Sequence, residues 1–390
     1  MSTIKVDTVK NRSSAINLPN NFKIGGLSII QGYTSSGSEP SSPSPGDFWW
    51  DSSNDKLYRY INGEFKEISL AAGGPAFMGT RGLIMGGQGP ASVYASNDIQ
   101  YVTIATPGNA TDFGDLTRAT YFSASHSNGS RIVKGGGTNN NSPYYFDDID
   151  YFAAGTTGNA SDFGNLTEAR GIFAGGGDLT RTLFGGGMGV NHTGAPNNRK
   201  ESRTIDYITT ANTGNATDFG DLSYYRDYAT ATSDATRTVF AAGEDYSTGS
   251  NAAVNIMEYV TTQTTGNVTD FGDLSVAGYS YNSGVCASLT RGIFMGGYGS
   301  SRSNHIDYIT IQTTGNATDF GDMLTANLHP ATPSDGTTGI IAGGSRQGGE
   351  TNVIEKITIA TPGNATDFGD LLAISGAVTY NAYQTGASGT

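Results

Sequence analysis

Apolar residues in this chain come in short runs, none reaching 18 residues, and each run is closed by Gly, Asn or Asp. Runs of that length bounded by turn formers predict strands rather than helices. Beyond residue 72 they recur in a fixed order. A small-residue segment such as Ala119 to Ala124 or Gly171 to Gly175 predicts a first strand, a. An arginine-led run closing on glycines predicts strand b; it spans Arg81 to Gly87, Arg131 to Gly137, Arg181 to Gly187, Arg237 to Gly243 and Arg291 to Gly297, with Thr338 to Gly344 in the last copy. Strand c alternates around an Ile-acid-Tyr centre, as in Ile149-Asp150-Tyr151, Ile205-Asp206-Tyr207 and Ile306-Asp307-Tyr308, with Lys356 in the tyrosine place of the last copy. A period of two there predicts a strand buried on one face. Strand d is the most constant segment, Thr-Asp-Phe-Gly-Asp-Leu, ending in a glycine turn.

The eight residues GNATDFGD at 108 to 115 return with small changes from Gly158, Gly214, Gly266, Gly315 and Gly363. Their phenylalanines, Phe113, Phe163, Phe219, Phe271, Phe320 and Phe368, stand 50, 56, 52, 49 and 48 residues apart. A period near fifty holding four strands predicts one four-stranded blade per repeat, hence an all-β chain built on a six-bladed β-propeller. The strand-like segment Ile374 to Tyr383 is left over after the sixth copy, while the first copy has a poor a strand in Ala72 to Gly79. Pairing the two predicts ring closure by a C-terminal velcro strand on the strand beginning at Arg81, since an open ring leaves edges unpaired. The division predicted is 1–71, an N-terminal arm with a small β element, and 72–390, the propeller. The order a, b, c, d, with a double glycine after b, an aromatic in c and d, and an arginine soon after d (Arg118, Arg170, Arg226), resembles the kelch repeat. Phenylalanine stands where that family usually has tryptophan, so the resemblance is kelch-like.

The repeated motif admits three readings. As a calcium loop, its Asp112 and Asp115 and their equivalents supply few of the six or more oxygens that a tight site takes. Asn109-Ala110-Thr111 and its counterparts match the N-glycosylation pattern, but the opening MSTIKVDTVKNRSS has no apolar signal region. As scaffold, Gly-Asn forms the c-to-d turn, Asp caps a local turn, and Phe wedges between neighbouring blades. The arginine opening strand b is expected to pair with the Asp of strand d.

Composition narrows the function. Thirty-five acidic against 22 basic residues give a net charge of −13, which argues against nucleic acid or an anionic membrane as partner. The single cysteine, Cys286, and the scattered His126, His192, His305 and His329 show no metal-ligand spacing, so no metal or other cofactor is expected. No pair of carboxylates stands apart from the repeated positions, so no catalytic residues are assigned and the chain is not expected to be an enzyme.

Copies differ most in the b-to-c connections, which an antiparallel blade places on the same end as the d-to-a turns. Tyr144, Tyr145, Phe146, His192, Arg199, Tyr246 and Tyr298 lie there without counterparts in neighbouring copies, and such loops are suited to receptor binding. Near the N-terminus, after a linker at Thr34 to Pro45, GDFWWDSSNDKLYRYINGEFKEI predicts three strands, Phe48 to Asp51, Lys56 to Ile61 and Glu64 to Ile68, with Asn62-Gly63 as a hairpin turn. A sheet this small is marginal alone, so Trp49, Trp50, Tyr58 and Tyr60 are candidates for docking.

That segment and the opening residues resemble the N-termini of tail-fibre and other appendage proteins of tailed bacteriophages, and the Asn-Ala-Thr-Asp-Phe-Gly-Asp repeats resemble virion proteins of marine cyanophages. The resemblance implies a virion structural protein, made in the host cytoplasm, attached to other virion proteins through its N-terminal region, with the distal part facing a host glycan or protein. A homo-oligomer fits that setting; membrane insertion does not. The alternatives are a purely architectural decoration or connector subunit and a glycan-degrading fibre enzyme.

Overall fold

A computed structural model of the chain describes residues 23–24, 27–28, 33–44, 47–51, 56–61, 63–68, 79–88, 95–189, 201–247, 252–276, 284–299, 301–347, 349–373 and 385–389. It separates into two units, Met1–Ala72 and Gly73–Thr390. All regular structure among the described residues is β.

In the smaller unit, Phe48–Asp51, Lys56–Ile61 and Glu64–Ile68 form an antiparallel meander with the bounds the sequence predicts. Gly63 takes a φ of 89° in the predicted hairpin turn, a region closed to most side chains. The segment expected to be only a linker contributes a fourth strand, Tyr33–Ser36, parallel to Phe48–Asp51. Trp49 is the reason this sheet holds. Its ring stacks on Tyr58 at 4.8 Å and meets the edge of Phe65 at 5.5 Å, and its indole N–H reaches the Ser36 carbonyl at 3.2 Å. Only 7% exposed, Trp49 is a core residue of the small unit, which corrects its assignment as a docking residue. Tyr58 and Tyr60 are half-buried, Tyr60 against Phe65 at 5.1 Å. Trp50 lies opposite Leu57 in the register.

The larger unit holds one sheet per repeat. The second, third, fourth and fifth sheets each run a, b, c, d in antiparallel order, for example Ala124–Ser127, Arg131–Thr138, Tyr145–Ala153 and Ser161–Asn165. In the first sheet the a strand comes from the other end of the chain, Thr385–Gly389 pairing with Arg81–Met85. The segment expected to do this, Ile374 to Tyr383, lies outside the described residues. In the sixth sheet the inner segment carries Pro330 and Pro333, which cannot donate to a ladder, and it touches strand b only through bridges at Ala331 and Ser334.

Inner strands also start later than the sequence suggests, at Ala124 and Ala174 instead of Ala119 and Gly171. Phe122, Ile172, Tyr228 and His329 explain the shift: each has a left-handed backbone, with φ of 54°, 63°, 52° and 54°, so the chain turns sharply before it enters the strand.

Buried apolar side chains form clusters that each span two successive sheets. Leu83, Met85 and Phe113 of the first pack on Ile132 and Phe152 of the second, and the series continues until Ile340, Ile354 and Phe368 of the sixth meet Ile84, Val102 and Ile104 of the first. Every motif phenylalanine lies in such a junction at 2–3% exposure. A β-bulge aims it there. In each sheet the c–d register skips one residue, so that Ile99 pairs with Gly114 and Gln100 with Asp112, leaving Phe113 out of the ladder. The same slip recurs at Phe163, Phe219, Phe271, Phe320 and Phe368.

The Gly-Asn pair does more than make a turn. Asn159 Oδ1 accepts a hydrogen bond from the Asp115 backbone N–H of the preceding sheet at 3.1 Å, and Asn215, Asn267, Asn316 and Asn364 do the same in succession. Asn109 closes the circuit on Asp370 at 3.1 Å. Gly114, at φ 149°, lies so close to the next copy that a Cβ would come 2.4 Å from the Gly158 carbonyl oxygen. The motif is therefore a clasp between sheets. The strand-b arginines also bind the neighbouring sheet, but not through the Asp of strand d as expected. Arg81, Arg131, Arg181, Arg237 and Arg291 lie over the tyrosine of their own strand c, Arg237 at 4.1 Å from the Tyr259 centroid, and donate to carbonyls such as Ala154, Thr210 and Ile311. Strand d offers its carboxylates to solvent instead, and a planar cation stacked on an aromatic keeps its edge N–H groups free for carbonyls.

Candidate functional site: the loop-bearing end

The d-to-a and b-to-c connections lie on one end because they hydrogen-bond to each other. Tyr121 pairs with Thr138, Arg170–Gly171 with Met188–Gly189, Arg226–Asp227 with Glu244–Asp245, and Asn327–Leu328 with Ser345–Arg346. Two of these pairs add a third short strand, Ala252–Ala253 and Gly349–Glu350. The connections are thus partly built as small sheets, not as open loops.

Beneath them the inner strands of all the sheets line narrow polar cavities of about 100 and 80 Å³, bounded by residues such as Ser125, Gly175, Thr232, Val285, Thr332 and Gly386. That is room for a few waters and too little for a sugar ring. At the loop-bearing end the rings of Phe122, Tyr228 and His329 meet across the middle, with centroids 5.7, 5.2 and 6.0 Å apart. The backbone ties them: Ile172 N–H donates to the Phe122 carbonyl at 2.8 Å and Tyr228 N–H to Ile172 at 3.0 Å. Burial pushes the His329 imidazole down to about 3, with Arg302 adding to the effect, so it is neutral in this plug at ordinary pH. His126, deeper along the inner strands, is likewise held down to about 4 by burial, against the pull of its bond to the Asp178 carbonyl.

Around this plug the acid of strand c is buried in five of the six sheets, and the side chain that meets it comes from more than one position. Asp206 pairs with Arg170 at 2.8 Å and Glu258 with Arg226 at 2.8 Å. His305 serves Asp307 at 3.1 Å, and Arg346 serves Glu355. In the second sheet the place of Arg170 is taken by Thr120, and Lys134, cross-strand from Asp150, stands where the neighbouring sheets have Phe184 and Phe240. Its ammonium donates to the Gly136 carbonyl at 2.6 Å, the counterpart of the Gly186 carbonyl that Arg170 reaches at 2.8 Å. Burial pulls Lys134 down to about 8, opposed by Asp150. The first sheet avoids the problem with a neutral Gln100.

Among the described residues, one carboxyl at this end has no hydrogen-bond partner. Asp227 is 0% exposed, neither carboxyl oxygen has a hydrogen-bond partner, and its cross-strand neighbour is Glu244. Burial, then Glu244 and Glu201, raise Asp227 to about 8. The same carboxyls act on two phenols: Tyr246, whose hydroxyl donates to Glu244 at 2.7 Å, and Tyr145 are both raised, burial being the larger cause.

Of the residues singled out from sequence, Tyr246 bonds to Glu244 and Tyr145 feels the charge of Asp227, while Tyr144 stands free at 53% exposure. Tyr145 also reaches the Met188 sulfur at 3.1 Å. Tyr298 is half-buried in a bridge with Arg302. Phe146 is a correction: it is 6% exposed, beneath the Arg118 guanidinium at 4.4 Å, because strand c begins one residue before it and turns its ring inward. His192 and Arg199 lie outside the described residues. Asp227 and Glu244 escaped sequence reasoning, since only the strand pairing brings them together. Lys134 carried a readable signal, a charge where parallel copies have phenylalanine. Among the described residues no group of three His, Cys, Asp or Glu side chains is placed to hold a metal ion.

No family model matches the chain, and no curated protein matches it. Among solved structures it is similar to the structure of YjhT, with a TM-score of 0.56 at 13% identity over 76% of this chain and 97% of that one. At that identity the likeness is one of fold.

Proposed function

We propose that this chain is a tail-fibre-like appendage protein of a tailed phage virion, that its six repeat sheets are the blades of a closed kelch-like β-propeller, and that the loop-bearing end recognises the host surface without catalysis. Three observations favour the propeller: the cyclic run of apolar junctions, the C-terminal strand in the first sheet, and the Asn109 clasp onto Asp370. The observation that carries the functional reading is the contrast between ends of the repeat. The Asn clasp and the bulged Phe recur at every junction, whereas the loop-bearing end differs from sheet to sheet and carries exposed and half-exposed tyrosines. With the middle filled by Phe122, Tyr228 and His329, a ligand would be taken on this surface.

The test uses the full chain. Wild type should adsorb to cells of a susceptible marine cyanobacterium, and the Tyr144→Ala, Tyr145→Ala, Tyr298→Ala variant should fold with an unchanged Tm and lose adsorption. Full adsorption by that variant, or an antibody to the chain that labels no external appendage of intact virions, would favour the architectural role instead.

A further inference from the structure

The junction between the sixth and first sheets is built differently from the other five. Arg81, Arg131, Arg181, Arg237 and Arg291 each lie over a strand-c tyrosine and donate to a carbonyl of the following sheet. In the sixth sheet those two places hold Thr338 and Lys356, so the staple onto the first sheet is missing. A backbone bond is missing too. The N–H groups of Gly158, Gly214, Gly266, Gly315 and Gly363 donate to the motif phenylalanine carbonyl of the preceding sheet at 2.7–2.8 Å, whereas among the described residues Gly108 makes no such bond to Phe368.

The contrast continues toward the middle. At the other five junctions the strand-c carboxylate accepts a hydrogen bond from the connection after the preceding strand d, from Thr117, Thr167, Ser223, Ser275 and Leu324 in turn. Here the neutral Gln100 accepts from the Leu372 N–H at 3.0 Å, a bond roughly half as strong as one to a charged acceptor. Innermost, Thr385–Gly389 is held on Arg81–Met85 only as a strand from the far end of the chain, and the Pro330 to Pro333 segment beside it meets its own strand b through bridges alone. What remains is the Asn109 clasp, the Ala110 N–H on the Asp370 carbonyl at 2.8 Å, and the apolar cluster. Every junction has such a cluster, so the directional contacts set the difference.

Proteins open in local cooperative units, and the unit with the fewest contacts opens first. We propose that the circuit of sheets opens at the junction of the sixth and first sheets before any other, with Thr385–Gly389 released as a strap. Opening unpairs the edge of Arg81–Met85 and uncovers Ile84, Val102 and Phe368, while the other junctions keep their contacts. The fraying of an ordinary chain end would stop at the strap. Opening of the junction reaches the outer rim, where Ala110 meets Asp370.

Hydrogen exchange of the full chain, read at single amides by NMR, tests this because one amide is repeated. Ala110, Ala160, Ala216, Ala317 and Ala365, each preceded by Asn, donate the same bond to the preceding sheet at 2.7–2.8 Å. The Ala110 amide should exchange about tenfold or more faster than the other four, the effect of losing one stacked arginine and its hydrogen bond. Thr338→Arg with Lys356→Tyr supplies the stack and a donor for the Ile104 carbonyl, and should slow Ala110 about tenfold while leaving Ala216 unchanged. Arg131→Thr with Tyr151→Lys removes the staple onto the third sheet and should make Ala216 the fast amide. Equal rates at the five wild-type amides, fast exchange confined to Thr385–Gly389, or a repaired chain in which Ala110 stays fast would each overturn the proposal. None of these readouts involves cell adsorption, so the host-recognition reading stands or falls separately.

Discussion

The rim and the buried charge ring run through the same six repeats, yet one is monotonous and the other improvised. At the rim each junction uses the same Asn, the same Gly and the same bulged Phe. Around the middle the strand-c acid is met by Arg170 and Arg226 from equivalent positions and by His305 or Arg346 from others, lies cross-strand from Lys134 in the second sheet, and is replaced by Gln100 in the first. The difference teaches what each contact demands. Gly114 must approach a carbonyl at a φ that side chains avoid, and only one residue type does that. A buried carboxylate demands a positive charge and donors, which any long cation can bring from any nearby backbone position.

The comparison is sharpest where it can be broken. The largest effect is expected from Phe219→Ala, which empties a junction between the third and fourth sheets and should cost ~3–5 kcal/mol in urea unfolding. Tyr144→Ala, at an exposed tip, should cost almost nothing. Equal shifts in midpoint would remove the wedge role from the motif phenylalanine.

Next comes the improvised ring. Lys134→Phe takes away the buried ammonium cross-strand from Asp150, whose charge it feels, and should cost about 1–3 kcal/mol. Adding Thr120→Arg rebuilds the arrangement of the third sheet and should restore most of that loss. If the second change restores nothing, the cations are not interchangeable. Lys134 also predicts a slope: its folded pKa lies below the unfolded value, so from about pH 8 to 10.5 the unfolded chain binds more protons and this residue's penalty fades as pH rises. The single and double variants should lack that contribution to stability.

The smallest effects separate the two glycines of the clasp. Gly114→Ala meets the Gly158 carbonyl and should cost ~1–3 kcal/mol. Gly158→Ala, which meets nothing within 4 Å, should cost only its backbone strain and rank below it. Thermal melts of the two variants decide the order, and a reversed ranking would mean that the close approach does not govern the motif.

Much of this was legible in the chain. Period-two runs ended by glycines give strands b, c and d nearly residue by residue, because strand period and turn chemistry are local properties. The small unit's meander was equally readable from its hairpin signal. Tyr33–Ser36 was not, since a polar Thr-Ser-Ser segment becomes a strand only by lying beside Phe48–Asp51. The inner strands were misplaced by a few residues because Phe122, Ile172, Tyr228 and His329 take a left-handed backbone that their residue types do not announce. Of the candidate site, the sequence picked out Tyr145 and Tyr246 as unlike their neighbours, while Phe146, beside Tyr145, belongs to the core.

What the sequence determined by itself is the unit and its repetition: strand order, the constant motif, and the positions where copies diverge. Only the tertiary structure decided what each repeated residue holds. Asn159 caps a backbone group 44 residues away, Arg81 grips a carbonyl 73 residues away, and Asp227 lies opposite Glu244 across two different connections. Such contacts depend on how one sheet is set against the next, a relation that no local pattern encodes.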